Sequence, residues 1–438
     1  MLKAIANEVA ACGGRLFYVG GYVRDLYLSQ TVQIEREADI DIEVFGLQDE
    51  ELLDILSRFG TVSKVGKSFS VYKVRGYHQL DFSLNPVYDL QAAVNRRDFT
   101  INAMMQDVLT GELFDPLGGM KDINQEIIRP VNNTSIINDP LRAYRAVQLA
   151  ARFGFKLHSN TVQQIQSADI ISIAPERIFN ELHKLLLYSS QPSIGLRYLA
   201  DTKILEHRHP ELAALINCAQ TEATHPEGDV WEHTLLVVDE AAKIKNQSKN
   251  PEALMWAALL HDIGKPKVSR RQGKKITAYS HDVVGATMVG QFLQDLKASN
   301  SLIQEVRVLV REHMHPVLLY KDRERVSNKA IARLANRVDT EELLWLAQAD
   351  FTGRGGIGRQ VEDFAPIYDW LIERLCQFGL KPGDRLEPLI QGRDLVELGF
   401  APGKQFKKLL DKAMELQLEG LDREQILLNL QRSLPNQQ

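Results

Sequence analysis

Asp39-Ile40-Asp41-Ile42 alternates acid and isoleucine. On a strand that pattern sends both carboxylates to one face and both isoleucines to the core. Two acids so close repel each other unless a divalent cation sits between them. Glu43 shares their face, with plain solvation as its alternative reading. Asp81, in Leu80-Asp81-Phe82, is a third carboxylate on a later alternating strand. Three acids on adjacent strands suit a pair of ions roughly 3.5–4 Å apart, bracketing the attacking and leaving oxygens of a phosphoryl transfer. Upstream, Gly20-Gly21 falls at a strand-to-helix junction, where glycine lets the backbone approach an anion and free N–H groups point at it. Arg24 follows one turn into that helix, where a guanidinium can clamp a phosphate. Downstream, Arg96-Arg97-Asp98-Phe99-Thr100-Ile101-Asn102 reads as two arginines at a helix start, with Asp98 and Asn102 on one helix face. That is a cradle for a triphosphate or ribose. Each piece alone has a bland reading, a tight turn or a capped helix; together they point to phosphate chemistry on a nucleotide.

A second set lies in the other half. His261-Asp262 ends an apolar helix and is followed by Ile263-Gly264-Lys265-Pro266. Adjacent imidazole and carboxylate at a helix end can chelate one ion, and the stop that follows fixes their geometry. His233, His281, His313, His315 and Asp350 are further candidates, Asp350 having a turn cap beside the Gly-rich stretch 353–358 as its alternative. His207, His209 and His225 read as hydrogen-bonded core or surface residues.

The elements that must hold these groups follow from periodicity. Residues 1–135 read as α/β: a short helix, the apolar run 16–19, the glycine turn, a helix from about Tyr22, then strands over 40–45, 71–75 and 79–84. From about Asp139 the period becomes helical, with amphipathic patterns at 139–154, 160–168, 176–187, 230–245 and 252–262. The fold class expected is α+β. The boundaries expected are a catalytic head (1–135), a helical neck (136–217), a metal-binding domain (218–360) and a helical tail (361–438).

A chain of 438 residues exceeds what one core usually organises. The three cysteines, Cys12, Cys218 and Cys376, lack paired spacing, so neither a disulfide frame nor a zinc knuckle is expected. No apolar run suits a membrane span and the first residues do not read as a leader, which makes the cytoplasm the expected location. Net charge is −5, so any nucleic-acid contact has to come from local cations. Three groups qualify: Lys265 to Lys275, Lys321 to Arg337, and Lys404 with Lys407 and Lys408. Solvated faces are the alternative for each.

The segments GGYVRD (20–25), DID (39–41), RRDFTIN (96–102), DPLGG (115–119), NDPLRAYRA (138–146), ARFGF (151–155) and PERIFNEL (175–182) resemble, in order, the class II tRNA nucleotidyltransferases, meaning bacterial CCA-adding enzymes and their poly(A) polymerase relatives. The resemblance implies a polymerase β-like head and a helical neck. It implies that Asp39 and Asp41 hold Mg²⁺, that the Gly21, Arg24 and Arg97 region holds the triphosphate of CTP or ATP, and that tRNA is the acceptor. Asp139 and Arg142 would read the base. Cytosine and adenine both set an amino donor beside a ring-nitrogen acceptor, so one carboxylate–guanidinium pair can hold either. Arg145 would touch the nucleotide too, and the helix bearing Glu176, Arg177 and Glu181 would brace the neck. The order of the histidines and aspartates resembles the HD phosphohydrolase superfamily. That implies a core site of His233, His261, Asp262 and Asp350, a second ion completed by His281 and His313, a divalent transition metal (Ni, Co, Mn or Fe), and hydrolysis of phosphate esters. The segment 390–403 resembles the C-terminal module of members with an HD domain.

The sequence departs from the family in two places. Asn138 stands where the family usually has Glu, still able to cap a helix start. Only fourteen residues separate Asp81 from Arg96, too few for the longer basic loop linked in the family to the change from C to A addition. CC-only or A-only addition is therefore an alternative, and polyadenylation a second, against which Gly66-Lys67-Ser68-Phe69 lacks paired basic residues. A third alternative, of another class, is a nucleotide phosphohydrolase whose head merely binds RNA.

Overall fold

The structure, a computed structural model, describes residues 1–29, 40–65, 71–76, 80–273, 275–355, 360–377 and 379–432. Asp39, the 66–69 segment, Lys274, Gly356 and Gly358 lie outside the described residues. The chain forms two compact units, 1–213 and 214–438.

In the first unit, seven strands make one mixed sheet: β1 (Arg15–Val19), β2 (Ile40–Phe45), β3 (Val62–Val65), β4 (Val71–Val74), β5 (Leu80–Asn85), β6 (Met105–Asp107) and β7 (Leu113–Phe114), in the order β3-β4-β5-β2-β1-β6-β7. Among the described residues of this sheet only β2 and β5 run parallel, and their register sets Asp41 opposite Asp81. For Asp41 and Ile42 the alternation does what the sequence suggested. Ile42 and Val44 are buried on one face with Ile5, Val9, Leu52 and Leu56 from the Leu2–Ala11 and Asp49–Ser57 helices. On the other face, Phe17, Val19 and Phe45 pack under Ala93 and Val94 in a second core, and beyond it Asp41 is exposed.

The helices after Asp139 complete the unit. The Leu141–Phe153 and Pro175–Tyr188 helices each bury one apolar stripe. Gly154, at φ 72°, closes the first of them in the left-handed conformation. His209 is buried, with the Tyr144 hydroxyl 2.9 Å from its Nε2, and burial with the nearby Arg208 charge pushes it down to about 3. It is a core histidine, as its sequence context suggested.

Two local expectations are corrected. Arg96 and Arg97 do not begin a helix; they close the Leu90–Asn95 helix, Arg96 being its C-cap. The chain cannot start another helix there because Thr100 N–H donates to the Arg129 carbonyl at 2.9 Å and Val131 N–H to the Asp98 carbonyl at 3.1 Å. Only one 3-10 turn, Thr100–Asn102, follows. Asn138 caps no helix start either. It ends the short Ser135–Asn138 helix and donates to Thr134 Oγ1 at 3.2 Å, while Pro140 leads the next helix without a side-chain cap.

Among the described residues of the second unit, the regular elements are helices apart from a hairpin over 270–277. Every side chain from Ala253 to Leu260 in the Pro251–Leu260 helix is buried. A helix apolar all round belongs in a core, and it carries His261 in with it. A Cβ on Gly264 would meet the His281 carbonyl oxygen at 2.2 Å; glycine there lets the 261–264 turn lie against the start of the His281–Asp295 helix. In the tail, Ile390, Leu395, Ala413, Ile426 and Leu430 form a small core of their own. The basic run 321–337 is partly neutralised: Arg337 pairs with Glu312, Arg333 with Glu415, and Lys329 with Glu415 and Glu419.

Candidate active sites

In the first unit, Gly20, Gly21, Arg24, Asp41, Arg97, Asp98, Asn102, Asp139, Arg142 and Arg145 line one cavity of about 360 Å³. Gly20 has φ 69°, and a Cβ there would come within 3.3 Å of Asp41 Oδ2 and 3.5 Å of Arg97 Nη1. The turn can approach the carboxylate because that residue has no side chain. Asp81 is in register with Asp41 but outside the lining; Lys73 pairs with it at 2.8 Å. Glu43 is not a solvated acid. It is buried and forms an ion pair with Arg97.

Arg24 is also more enclosed than a free phosphate clamp. It is 2% exposed, donates to Asp25 Oδ1 at 2.7 Å and to Asn102 Oδ1 at 2.6 Å, and lies over the Phe153 ring at 4.7 Å. Asn102 in turn donates to Asp98 Oδ1 at 3.0 Å. Arg145 reaches Asp98 at 3.2 Å and Glu181 at 3.4 Å. Burial raises the Asp98 carboxyl, but the Arg145 charge and the hydrogen bonds from Asn102 and Phe99 outweigh it and hold it below the ordinary range. Arg142 donates to the Arg97 carbonyl at 3.0 Å, the Arg96 carbonyl at 2.8 Å and Ser135 Oγ at 2.7 Å. Its Nε lies 3.7 Å from Asp139, whose other oxygen is 3.6 Å from Arg177. Sequence reasoning missed Gln148 and Lys184 in the lining; Lys184 sits one turn beyond Glu181, the only signal available.

In the second unit, His233, His261, Asp262, His281, His313 and Asp350 converge and are all buried. His261, His281 and His313 each donate Nδ1–H to a carbonyl three residues earlier, at 2.9, 2.7 and 2.6 Å. His233 Nδ1 faces Glu227 Oε1 at 2.9 Å. That leaves four Nε2 atoms turned inward: His233 and His261 are 3.3 Å apart there, His281 and His313 3.4 Å. In neutral rings these are lone pairs facing lone pairs, which a cation between them would relieve. Burial, with the neighbouring His261 and His281 rings, pushes His313 down to about 3, which favours its neutral form. Asp262 offers Oδ2 to His261 at 3.2 Å and Oδ1 to His281 at 3.3 Å, so one carboxylate serves both halves of the cluster. Asp350 approaches His233 at 3.1 Å and is no mere turn cap, though Arg354 pairs with it at 2.6 Å. His315 stays apart, near Glu312 at 3.2 Å.

His225, hydrogen-bonded as its sequence context suggested, also adjoins this cluster. Its Nδ1 lies 2.8 Å from the same Glu227 oxygen that faces His233. Burial works to raise the Glu227 carboxyl, but hydrogen bonds from His225 and His233 hold it down at about 2. Glu227, Lys265 (2.6 Å from Asp262) and Arg354 were missed as site residues. Glu227 sits in a loop, where no periodicity could have marked it. The cluster opens into a cavity of about 620 Å³. No described helix is long and apolar enough to cross a membrane.

Comparison with known proteins gives three family matches: "Poly A polymerase head domain" over residues 16–129, "Probable RNA and SrmB- binding site of polymerase A" over 154–216, and "HD domain" over 230–350. The Multifunctional CCA protein of Actinobacillus pleuropneumoniae serotype 5b is 30% identical over 397 residues, which span 83% of this chain and 91% of that protein. Among solved structures, the Bacillus stearothermophilus CCA-adding enzyme in complex with CTP is similar with a TM-score of 0.65 and 22% identity, covering 98% of this chain and 96% of that one. The Thermotoga maritima CCA-adding enzyme complexed with tRNA gives 0.60 and 22%, covering 99% and 94%.

Proposed function

The chain belongs to the multifunctional CCA proteins, and we propose from that premise how its residues divide the work between two sites. It is a tRNA nucleotidyltransferase that adds C and A from CTP and ATP to the tRNA 3′ end, with an HD domain that hydrolyses phosphate esters, and both activities depend on metal. The cytoplasm is its place of action in this reading.

One observation carries the assignment of the first site: a glycine turn, an exposed carboxylate and a carboxylate–guanidinium pair line the same nucleotide-sized cavity. Asp41, with Asp39, would hold Mg²⁺, which when bound supplies charge stabilisation at the transferring phosphate and the attacking oxygen. Asp81 joins that set only by exchanging its Lys73 partner. The Gly20-Gly21 turn lies where backbone N–H groups meet the triphosphate, and Arg97, held by Glu43, neutralises it. Arg24 acts one step back, through Asn102 and Asp98, and keeps the turn rigid. Asp139 and Arg142 present acceptor beside donor to the base edge. Arg145 holds Asp98 beside them.

At the second site His233, His261, Asp262 and Asp350 would hold one divalent transition ion, and Asp262, His281 and His313 a second. When bound, these ions supply the nucleophile for ester hydrolysis. Glu227 would fix His233 so that Nε2 is the ligand. Glu227→Gln is expected to weaken metal retention by about 10–100-fold, the usual cost of losing such a support. Equilibrium dialysis of the full chain against a chelator measures this, and unchanged affinity would refute the role.

The overall test offers three tRNAs, ending before CCA, after the first C and after both, to CTP and ATP separately. The first is expected to gain two C from CTP and the third one A from ATP. Long A tails from ATP alone would put the chain with the polyadenylating enzymes instead. A second reading, addition of C only, is favoured by one observation: β5 reaches Asn85 and the next helix, capped by Asp89, begins at Leu90, so 82–95 has little free loop. A third tRNA that gains nothing from ATP would establish it.

A further inference from the structure

Tyr279 is 78% exposed, although a ring of that size ordinarily gains by burial. It lines the cavity into which the second unit's histidine and aspartate cluster opens. The chain fixes its position from both sides. Before it, the hairpin is pinned by Thr221, whose hydroxyl donates to the Ile276 carbonyl at 3.0 Å and accepts from the Ile276 N–H at 2.9 Å. The Ala278 carbonyl then accepts from His281 Nδ1 at 2.7 Å. After it, Ser280 has φ 61°, a left-handed conformation uncommon for a residue with a side chain, and such strain gathers at functional sites. The ring is thus presented to solvent two residues from a buried cluster histidine, on backbone anchored to that histidine. Lys275 and Lys321 line the same cavity, with Asp282 as an opposing charge.

A flat exposed ring and separated ammonium groups beside a hydrolytic centre form the arrangement that holds nucleic-acid termini. The base stacks on the ring and the cations meet phosphate oxygens. A bare phosphate ester would use only the cations. We propose that Tyr279 is the nucleobase platform of this second site, with Lys275 and Lys321 meeting the adjoining phosphates, so that this one ring sets how strongly the site favours esters that carry a base. The inference rests on the hydrolase reading of the cluster.

The test compares adenosine 2′-phosphate with glycerol 2-phosphate, both monoesters of a secondary alcohol, using the full chain loaded with Ni²⁺. Tyr279→Ala is expected to lower the preference for the nucleotide, the ratio of the two kcat/KM values, by about tenfold, mainly through a higher nucleotide KM. Tyr279→Phe, which keeps the stacking face, is expected to hold the ratio within about twofold of the parent. A ratio unmoved by alanine, or lost equally with phenylalanine, overturns the platform. If the parent chain hydrolyses neither ester, the hydrolase reading falls first and the platform with it, a result distinct from hydrolysis without preference.

Discussion

Asp41→Ala is expected to cut nucleotide incorporation into tRNA at least 10³-fold, equivalent to about 4 kcal/mol of lost transition-state stabilisation. The effect should fall on kcat, since the carboxylate acts where charge develops rather than where the substrate is merely held. Stability should barely move. Asp41 is exposed at the open end of β2, and a surface substitution of that kind usually stays within about 0.5 kcal/mol. The isosteric Asp41→Asn should be nearly as inactive, because it keeps the shape and removes the charge. Phosphate-ester hydrolysis should persist in both variants. Labelled-nucleotide incorporation checks the first claim and thermal unfolding the second. Incorporation surviving at near parental rate would end the assignment of this cavity.

The second large effect belongs to the other unit. His261→Ala with Asp262→Ala is expected to strip the cluster of metal and lower phosphate-ester hydrolysis by at least about 10³-fold, with incorporation within about twofold of the parent. The size follows from the place of Asp262, whose two oxygens face His261 on one side and His281 on the other. Its loss removes a ligand from both halves. Alanine also leaves Lys265 without its carboxylate partner, with only the Gln220 amide oxygen at 2.6 Å, so Asp262→Asn, which keeps the volume, separates lost metal from lost packing. Metal content per chain after dialysis gives a readout independent of turnover. Full metal content together with full hydrolysis would remove the HD assignment.

The carboxylate strand was legible because alternation on a sheet is a strictly local rule: Ile42 buried and Asp41 exposed follow from neighbours alone. The same rule placed Asp81 on the right strand and face. It could not say that Lys73, opposite it on β4, would take the carboxylate, since cross-strand partners depend on register. Arg24 was legible as a helix residue beside the turn, not as a buried one, because Asn102 and Phe153 reach it from distant segments. Arg96 and Arg97 were misplaced at a helix start because the tie that stops the helix comes from 129–131. In the second unit the His-Asp pair announced itself through adjacency and an apolar helix. Glu227 and His225 did not, because the loop that carries them has no periodicity.

The helix carrying Arg142 and Arg145 is stitched to the strands' side of the first unit at several points. Arg142 grips the Arg96, Arg97 and Ser135 carbonyl oxygens, Arg145 grips Asp98, and Arg152 faces Asp25 at 3.5 Å. Prising those parts asunder would forfeit several charge-assisted bonds, each worth about 1.5–3 kcal/mol. Such a seam favours a cleft of set depth over a pair of jaws. If the cavity of about 360 Å³ keeps that depth during the reaction, an RNA tip that lengthens inside it is expected to fold or back out, so that room limits the number of additions.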